Sequence, residues 1–362
     1  MNKINTVSIY YDDKSTKYHD PNFGSLECGT RTNINITYFI SKRYRIVYPK
    51  KKSIHFKFLK KLHQNNNLVK YLSKTSFDQN LLQKILRQKS KNITTRNCHG
   101  CTSATSDNKC ELCGTEIKEV NFFKYAHIID NRILDSDTTY ITHNSYALIK
   151  NVINLVCSMV SDIYTKKTNH GFAIVRPPGH HASFNLSGGF CLVNNIAICA
   201  EYARFIGFKN IFIFDFDAHH GNGTQEIFYN RKDVYYCSMH TATAYPKTGL
   251  ENEIGNEEGS GYNLNIIVQK NIDTDSYLEI FRSKVVPTIA KYCPDLILIS
   301  AGFDGLATDP MAIMKLTPTC YGEIIETLVN FEVPIGMVLE GGYDTKELPK
   351  CYDICLKKLA GY

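Results

Sequence analysis

The segment DFDAHHGN places Asp215, Asp217, His219 and Asn222 close together. Asp217 and His219, two positions apart, project to the same side of an extended chain, so a carboxylate and an imidazole can share one ion. Asp304 is positioned to be a third ligand, and three protein ligands with an open position is the arrangement of a catalytic zinc. Such an ion lowers the pKa of a bound water from about 15.7 towards 7 and polarises a carbonyl. His180 and His181, Ser238 and His240, and Tyr343 add acid–base and hydrogen-bonding groups. An Asp-x-His pair alone is common in protein cores, where it caps helices or satisfies neighbours. Several such groups, each at the end of an apolar run, are hard to attribute to packing.

Those runs are GFAIVRP, NIFIFDFD, DVYYCSMH, DLILISAGFD and PIGMVLEGGYD. They alternate with helix-like stretches at 145–164, 193–206, 276–292 and 319–330, which predicts a parallel sheet covered on both faces. In such sheets the ligand site lies beyond the carboxyl ends of the strands. VSIYYD at 7–12 reads as a further short strand, and Leu59, Leu62, Leu68 and Leu72 have helical spacing.

The chain has 362 residues, 43 % of them apolar and 12 % aromatic, which suits a globular protein with a sizeable core and excludes a disordered or collagenous one. No stretch approaches the roughly 20 consecutive apolar residues of a membrane span, and the N-terminus lacks the apolar region of a secretory signal. A reducing, intracellular setting, nuclear or cytoplasmic, is expected, with no membrane contact. Residues 73–131 are polar, rich in Asn, Lys and Ser, and read as an insertion in a single domain spanning 1–362. Within it Cys98 and Cys101, then Cys110 and Cys113, form two CxxC knuckles that can complete a tetrahedral structural zinc site over 98–113. A polar insertion of this size builds little core, so metal binding would supply its folding free energy. The other nine cysteines read as small core residues.

Charge is uneven. Residues 42–96 hold sixteen Lys or Arg against one acidic residue, Asp78, a local +15; with 1–41 neutral and +7 overall, 97–362 carry −8. A basic block of this kind can attract nucleic acid or chromatin, or be a solvated surface. It would repel a basic substrate such as a histone tail, which argues against its being the substrate groove.

The motifs RPPGHHA (176–182), GGFCLVNN (188–195), DFDAHHGNGTQ (215–225), SMH (238–240), AGFDGLATDP (301–310) and LEGGYD (339–344) resemble, in order and separation, the zinc-dependent histone deacetylase family. Asn222 and the wording GNGTQ and LEGGYD look most like the class II enzymes and their bacterial relatives. Glu27 and Arg31 resemble an E-x-x-x-R pair of the same domain. The resemblance implies an arginase-like α/β fold, a parallel sheet of about eight strands flanked by helices. It implies Asp217, His219 and Asp304 as ligands of Zn2+. His181 would be the general base, with Asn222 orienting its far nitrogen, and His180 paired with Asp215 would supply positive charge. Tyr343 would donate to the developing oxyanion. A potassium ion would lie beside Asp215, Asp217, His219, Ser238 and Met239.

The same resemblance places Gly189 and Phe190 in one wall of an acyl-lysine tunnel and Asp137 at its rim. Met311 stands where a polyamine-selective relative has a glutamate, which favours acetyl-lysine in a protein, histones among the candidates, over an acetylpolyamine. The segment SMHTATAYPKTG lacks the Phe-Phe of the class II opposite wall. The leading expectation is therefore a protein lysine deacetylase. Deacetylation of a small amide, or a chromatin- or nucleic-acid-binding module with weak activity, are its rivals.

Overall fold

A computed structural model of the chain describes residues 5–12, 26–42, 44–50, 55–63, 96–97, 104–105, 139, 145–311 and 313–362. The strands are β1 (Val7–Tyr11), β2 (Arg45–Val47), β3 (Arg96–Asn97), β4 (Ala104–Thr105), β5 (His170–Ile174), β6 (Ile211–Asp215), β7 (Val234–His240), β8 (Asn263–Ile267), β9 (Leu296–Ala301) and β10 (Ile335–Leu339). The α-helices are α1 (Ile36–Ser41), α2 (Phe56–His63), α3 (Ser145–Tyr164), α4 (Asn195–Ile206), α5 (Asn222–Phe228), α6 (Thr274–Ile280), α7 (Val286–Tyr292), α8 (Pro318–Val329) and α9 (Leu348–Ala360). Eight strands form one sheet in the order β2-β1-β5-β10-β9-β6-β7-β8. Every neighbouring pair in it is parallel.

The strands are buried on both faces because their side chains alternate between two apolar layers. Phe212 and Phe214 of β6, Ile297 and Ile299 of β9, and Met337 and Leu339 of β10 pack on one face with residues of α6, α8 and α9. Ile211, Ile213, Leu296, Leu298 and Val338 pack on the other with α2, α3 and α4. Helix α3 is long and apolar enough to cross a membrane, but 72 % of that span is buried within the fold, so it serves as a core helix.

The five apolar runs of the second half are strands, and the helices at 145–164, 195–206 and 318–329 lie where helical spacing predicted them. The expected helix at 276–292 is α6 and α7 joined by a π-turn at Phe281–Val285. Pro287, with no N–H to donate, lies two residues beyond that turn. Of the helical stretch Leu59–Leu72, α2 shows the portion up to His63, and the remainder lies outside the described residues. The short antiparallel pair β3–β4 matches Arg96 with Thr105 and Asn97 with Ala104. Cys98, Cys101, Cys110, Cys113 and Asp137 lie outside the described residues, as does most of the basic 42–96 stretch.

Candidate metal centre and acid–base site

Strand β6 delivers the metal-binding group. Phe216 N–H still reaches Ser300 O of β9 at 3.2 Å, and beyond it the chain leaves the sheet and its N–H groups turn to carboxylates. Asp217 N–H donates to Asp215 Oδ1 (3.2 Å), Ala218 N–H to Asp304 Oδ1 (2.9 Å) and His219 N–H to Asp217 Oδ1 (2.9 Å). The acidic residues thus satisfy the backbone donors that the end of the strand frees.

One ligand atom each from Asp217, His219 and Asp304 lies within 4.8 Å of the others, and all three residues are buried. His219 Nδ1 is 2.7 Å from Asp304 Oδ2 and 3.1 Å from Asp217 Oδ1. Burial disfavours a charged His219, yet the two carboxylates raise its pKa to about 10. Burial also works against the Asp217 anion, but His180 and His219 hold it well below the ordinary carboxylate range. Without a metal the proton on His219 balances the two carboxylates, and a divalent ion can take that proton's place, bound by the oxygen and imidazole donors zinc takes.

The loop after β5 brings two histidines beside this group. His180 Nδ1 lies 3.0 Å from Asp215 Oδ2, which also accepts from the Tyr236 hydroxyl at 3.1 Å. Against its burial, Asp217 and Asp215 raise His180 to about 10, so it is cationic. His181 lies against it with ring centroids 4.0 Å apart and planes tilted by 45°, and pairs Nδ1 with Asn222 Oδ1 at 2.9 Å. Burial first, then the charges of His180 and His219, push His181 well below 6.5. An acceptor oxygen at Nδ1 places the proton there and leaves the Nε2 lone pair free. Asn194 holds this loop to α4: its Oδ1 caps the helix at Ala197 N–H (2.9 Å) and its Nδ2 donates to Ala182 O (2.9 Å).

The loop after β10 carries Tyr343, whose ring lies 5.6 Å from that of Phe190 and under the Arg31 guanidinium at 4.8 Å. Burial raises the Tyr343 hydroxyl well above its usual pKa, so it stays a donor. Asp309 Oδ2 accepts from the N–H of Tyr343 (2.7 Å) and Asp344 (3.2 Å), fixing the turn.

Gly189 lies against the His181 ring, and Phe190 faces Tyr343. A side chain at Gly189, where φ is +52°, would strike His181 and Tyr245 at 2.4 and 2.8 Å. Tyr245, in the segment that lacks Phe-Phe, lies with its ring 4.8 Å from that of His181. Thr139 Oγ1 accepts from Phe190 N–H at 3.0 Å. Ser238 pairs with Asp215 across β6–β7 and contacts His240 Nδ1 at 2.9 Å; Met239 is buried beside it. Met311 packs against the apolar core and donates its N–H to Asp309 Oδ1 at 2.9 Å. Tyr245, Asp309 and Thr139 were not singled out from sequence, although Tyr245 lies in SMHTATAYPKTG and Asp309 within the recognised AGFDGLATDP motif.

An α/β protein with a buried Asp-His-Asp metal-binding group at the carboxyl edge of a parallel sheet is thus defined. Residues 35–359 match the Histone deacetylase domain, and the chain belongs to the histone deacetylase family. It is 36 % identical to human histone deacetylase 9 over 63 % of this chain and 24 % of that protein. Histone deacetylase 15 of Arabidopsis thaliana is 34 % identical over 70 % of this chain and 48 % of its own length. A probable deacetylase of Archaeoglobus fulgidus is 38 % identical over 51 % of this chain and 53 % of its own. The chain therefore spans about half or less of these relatives, which bear out the resemblance to class II and prokaryotic deacetylases. The crystal structure of the HDA15 HD domain superposes with a TM-score of 0.77 at 25 % identity, covering 99 % of this chain and 88 % of that one.

Proposed function

We propose that the chain hydrolyses the acetyl amide of N-acetyl-lysine in proteins, with Asp217, His219 and Asp304 holding Zn2+. The observation that carries this reading is His181, its Nδ1 held by Asn222 Oδ1 at 2.9 Å, beside a buried Asp-His-Asp group. When bound there, zinc supplies Lewis acidity that acidifies a water and polarises the amide carbonyl. His181 Nε2 takes a proton from the attacking water and returns it to the leaving amine. The cationic His180, anchored on Asp215, keeps His181 neutral and adds positive field where negative charge develops. Tyr343 donates its hydroxyl to the amide oxygen as that charge forms, a bond stronger in the transition state than in the ground state. Phe190, Gly189 and Tyr245 flank the acyl-lysine stem with apolar surface, and Asp137 orients the substrate backbone at the rim.

The remaining assignments belong to the same proposal. Residues 1–362 make one catalytic domain with a 73–131 insertion, in which Cys98, Cys101, Cys110 and Cys113 hold a second, structural zinc. The β3–β4 pair brackets the first knuckle, as a ribbon would. Asp215, Asp217, His219, Ser238 and Met239 border a potassium site, which the pairing of Asp215 with Ser238 favours. The relatives are deacetylases by name and lend the nucleic-acid reading of 42–96 no support.

Zinc content measured together with turnover of an acetyl-lysine peptide tests the reading. Wild type is expected to carry about two zinc ions per chain, falling to about one in Asp217→Ala with loss of activity. Tyr343→Phe should keep its zinc and lose about 10²–10³-fold in kcat. Metal without turnover of the peptide would point instead to a small-amide substrate or a binding role.

A further inference from the structure

Glu340 is the first residue beyond β10, three positions before Tyr343, and is completely buried. Its Oε2 accepts the backbone N–H of Gly179 at 2.6 Å and of His180 at 3.0 Å. Among the described residues its Oε1 has no hydrogen-bond partner. A buried carboxylate with one oxygen unmet costs stability, so apolar packing does not account for this residue. What it achieves is a bond between two loops: its side chain holds the loop of His180 and His181, and its backbone belongs to the loop of Tyr343. Arg31 completes the frame, donating from Nη2 to Glu340 O and from Nε to Gly342 O (2.6 Å).

We infer that Glu340 is a positioning residue that keeps the His180–His181 loop and the Tyr343 loop in register across the reacting amide. The inference rests on the deacetylase reading, because it assumes that His181 and Tyr343 act on the same group. The two loops leave neighbouring strands, β5 and β10, whose pairing ends at Ala173 and Val338. Beyond that point the sheet no longer sets their spacing. The Glu340 carboxyl group replaces the missing ladder with two hydrogen bonds to one turn. A misplacement of about 1 Å between such groups can cost about 10²-fold in rate.

Three variants test this. Glu340→Gln keeps an oxygen that can accept both N–H groups, Glu340→Asp keeps the charge but loses reach, and Glu340→Ala loses both. Glu340→Ala and Glu340→Asp are expected to lower kcat about 10- to 100-fold, with KM and zinc content within about twofold of wild type. Glu340→Gln should recover most of the loss. If Glu340→Ala fails to fold, the order of Glu340→Gln above Glu340→Asp still decides. Equal or reversed order overturns the inference, as does wild-type kcat in Glu340→Ala. Amide hydrogen exchange at Gly179 and His180, read without substrate, should quicken about tenfold or more in the Ala and Asp variants only. Unchanged protection overturns the tie. An inactive wild type with quickened exchange in those variants would retain the tie and remove the deacetylase reading.

Discussion

The backbone N–H of Gly341 donates to Asp217 Oδ2 at 2.8 Å, so the β10 loop supports a metal-binding carboxylate directly. The contact is close enough that a Cβ at position 341 would lie 2.4 Å from Asp304 Oδ2 and 2.5 Å from Asp217 Oδ2. Glycine is required here because two carboxylates crowd the backbone. Gly341→Ala should displace both, and zinc titration of the purified variant is expected to show affinity for the Asp217 site weakened about 10–100-fold. Affinity equal to wild type would contradict the crowding.

Glu27 joins the N-terminal segment to the site. Its carboxylate accepts from Arg176 Nε (2.8 Å) and Nη2 (2.6 Å) and from Arg31 Nη1 (3.3 Å), with all three side chains buried. Removing one partner of a buried charge cluster leaves the others uncompensated. Glu27→Ala is expected to lower unfolding stability by about 3–5 kcal/mol, measured by urea denaturation. A loss below about 1 kcal/mol would show the arginines to be satisfied by the backbone carbonyls alone.

His170 lies at the opposite end of the sheet from the site and accepts Ile335 N–H on Nδ1 at 3.1 Å. Burial lowers its pKa from 6.5 to about 4. The unfolded chain therefore binds the proton more readily, and this contribution to stability is present above pH 6.5 and is lost as pH falls towards 4. His63, which accepts Asn194 N–H at 3.0 Å, behaves in the same way, lowered to about 4 by burial. In His170→Asn the amide oxygen can accept the same N–H without titrating. Its unfolding free energy should fall less than that of wild type between pH 7 and 4, by about 3 kcal/mol. Parallel pH curves would rule out the protonation of His170 as a source of acid lability.

The parallel sheet and its site were legible wherever the information is local. Each central strand is an apolar run buried on both faces, and each run ends in residues such as Asp215, His240 or Glu340 that no core would choose without a use for them. The edge strands β2 and β8 were not legible: one is three residues long, and the other, NLNII, mixes polar with apolar residues. Tyr245 was missed because its role depends on lying beside His181 and Gly189, 64 and 56 positions earlier in the chain.

Local alternation and the order of motifs suffice to specify the central strands, the Asp-x-His pair and the histidine dyad, because strand period and ligand spacing act over a few residues. The supports of that site are of another kind. Gly341 meets Asp217 across 124 positions, and Glu340 meets Gly179 across 161. A buried carboxylate takes its meaning from the donors that reach it, and a glycine from the atoms that crowd it. Those partners are brought together by the packing of adjacent strands, and no spacing along the chain records them.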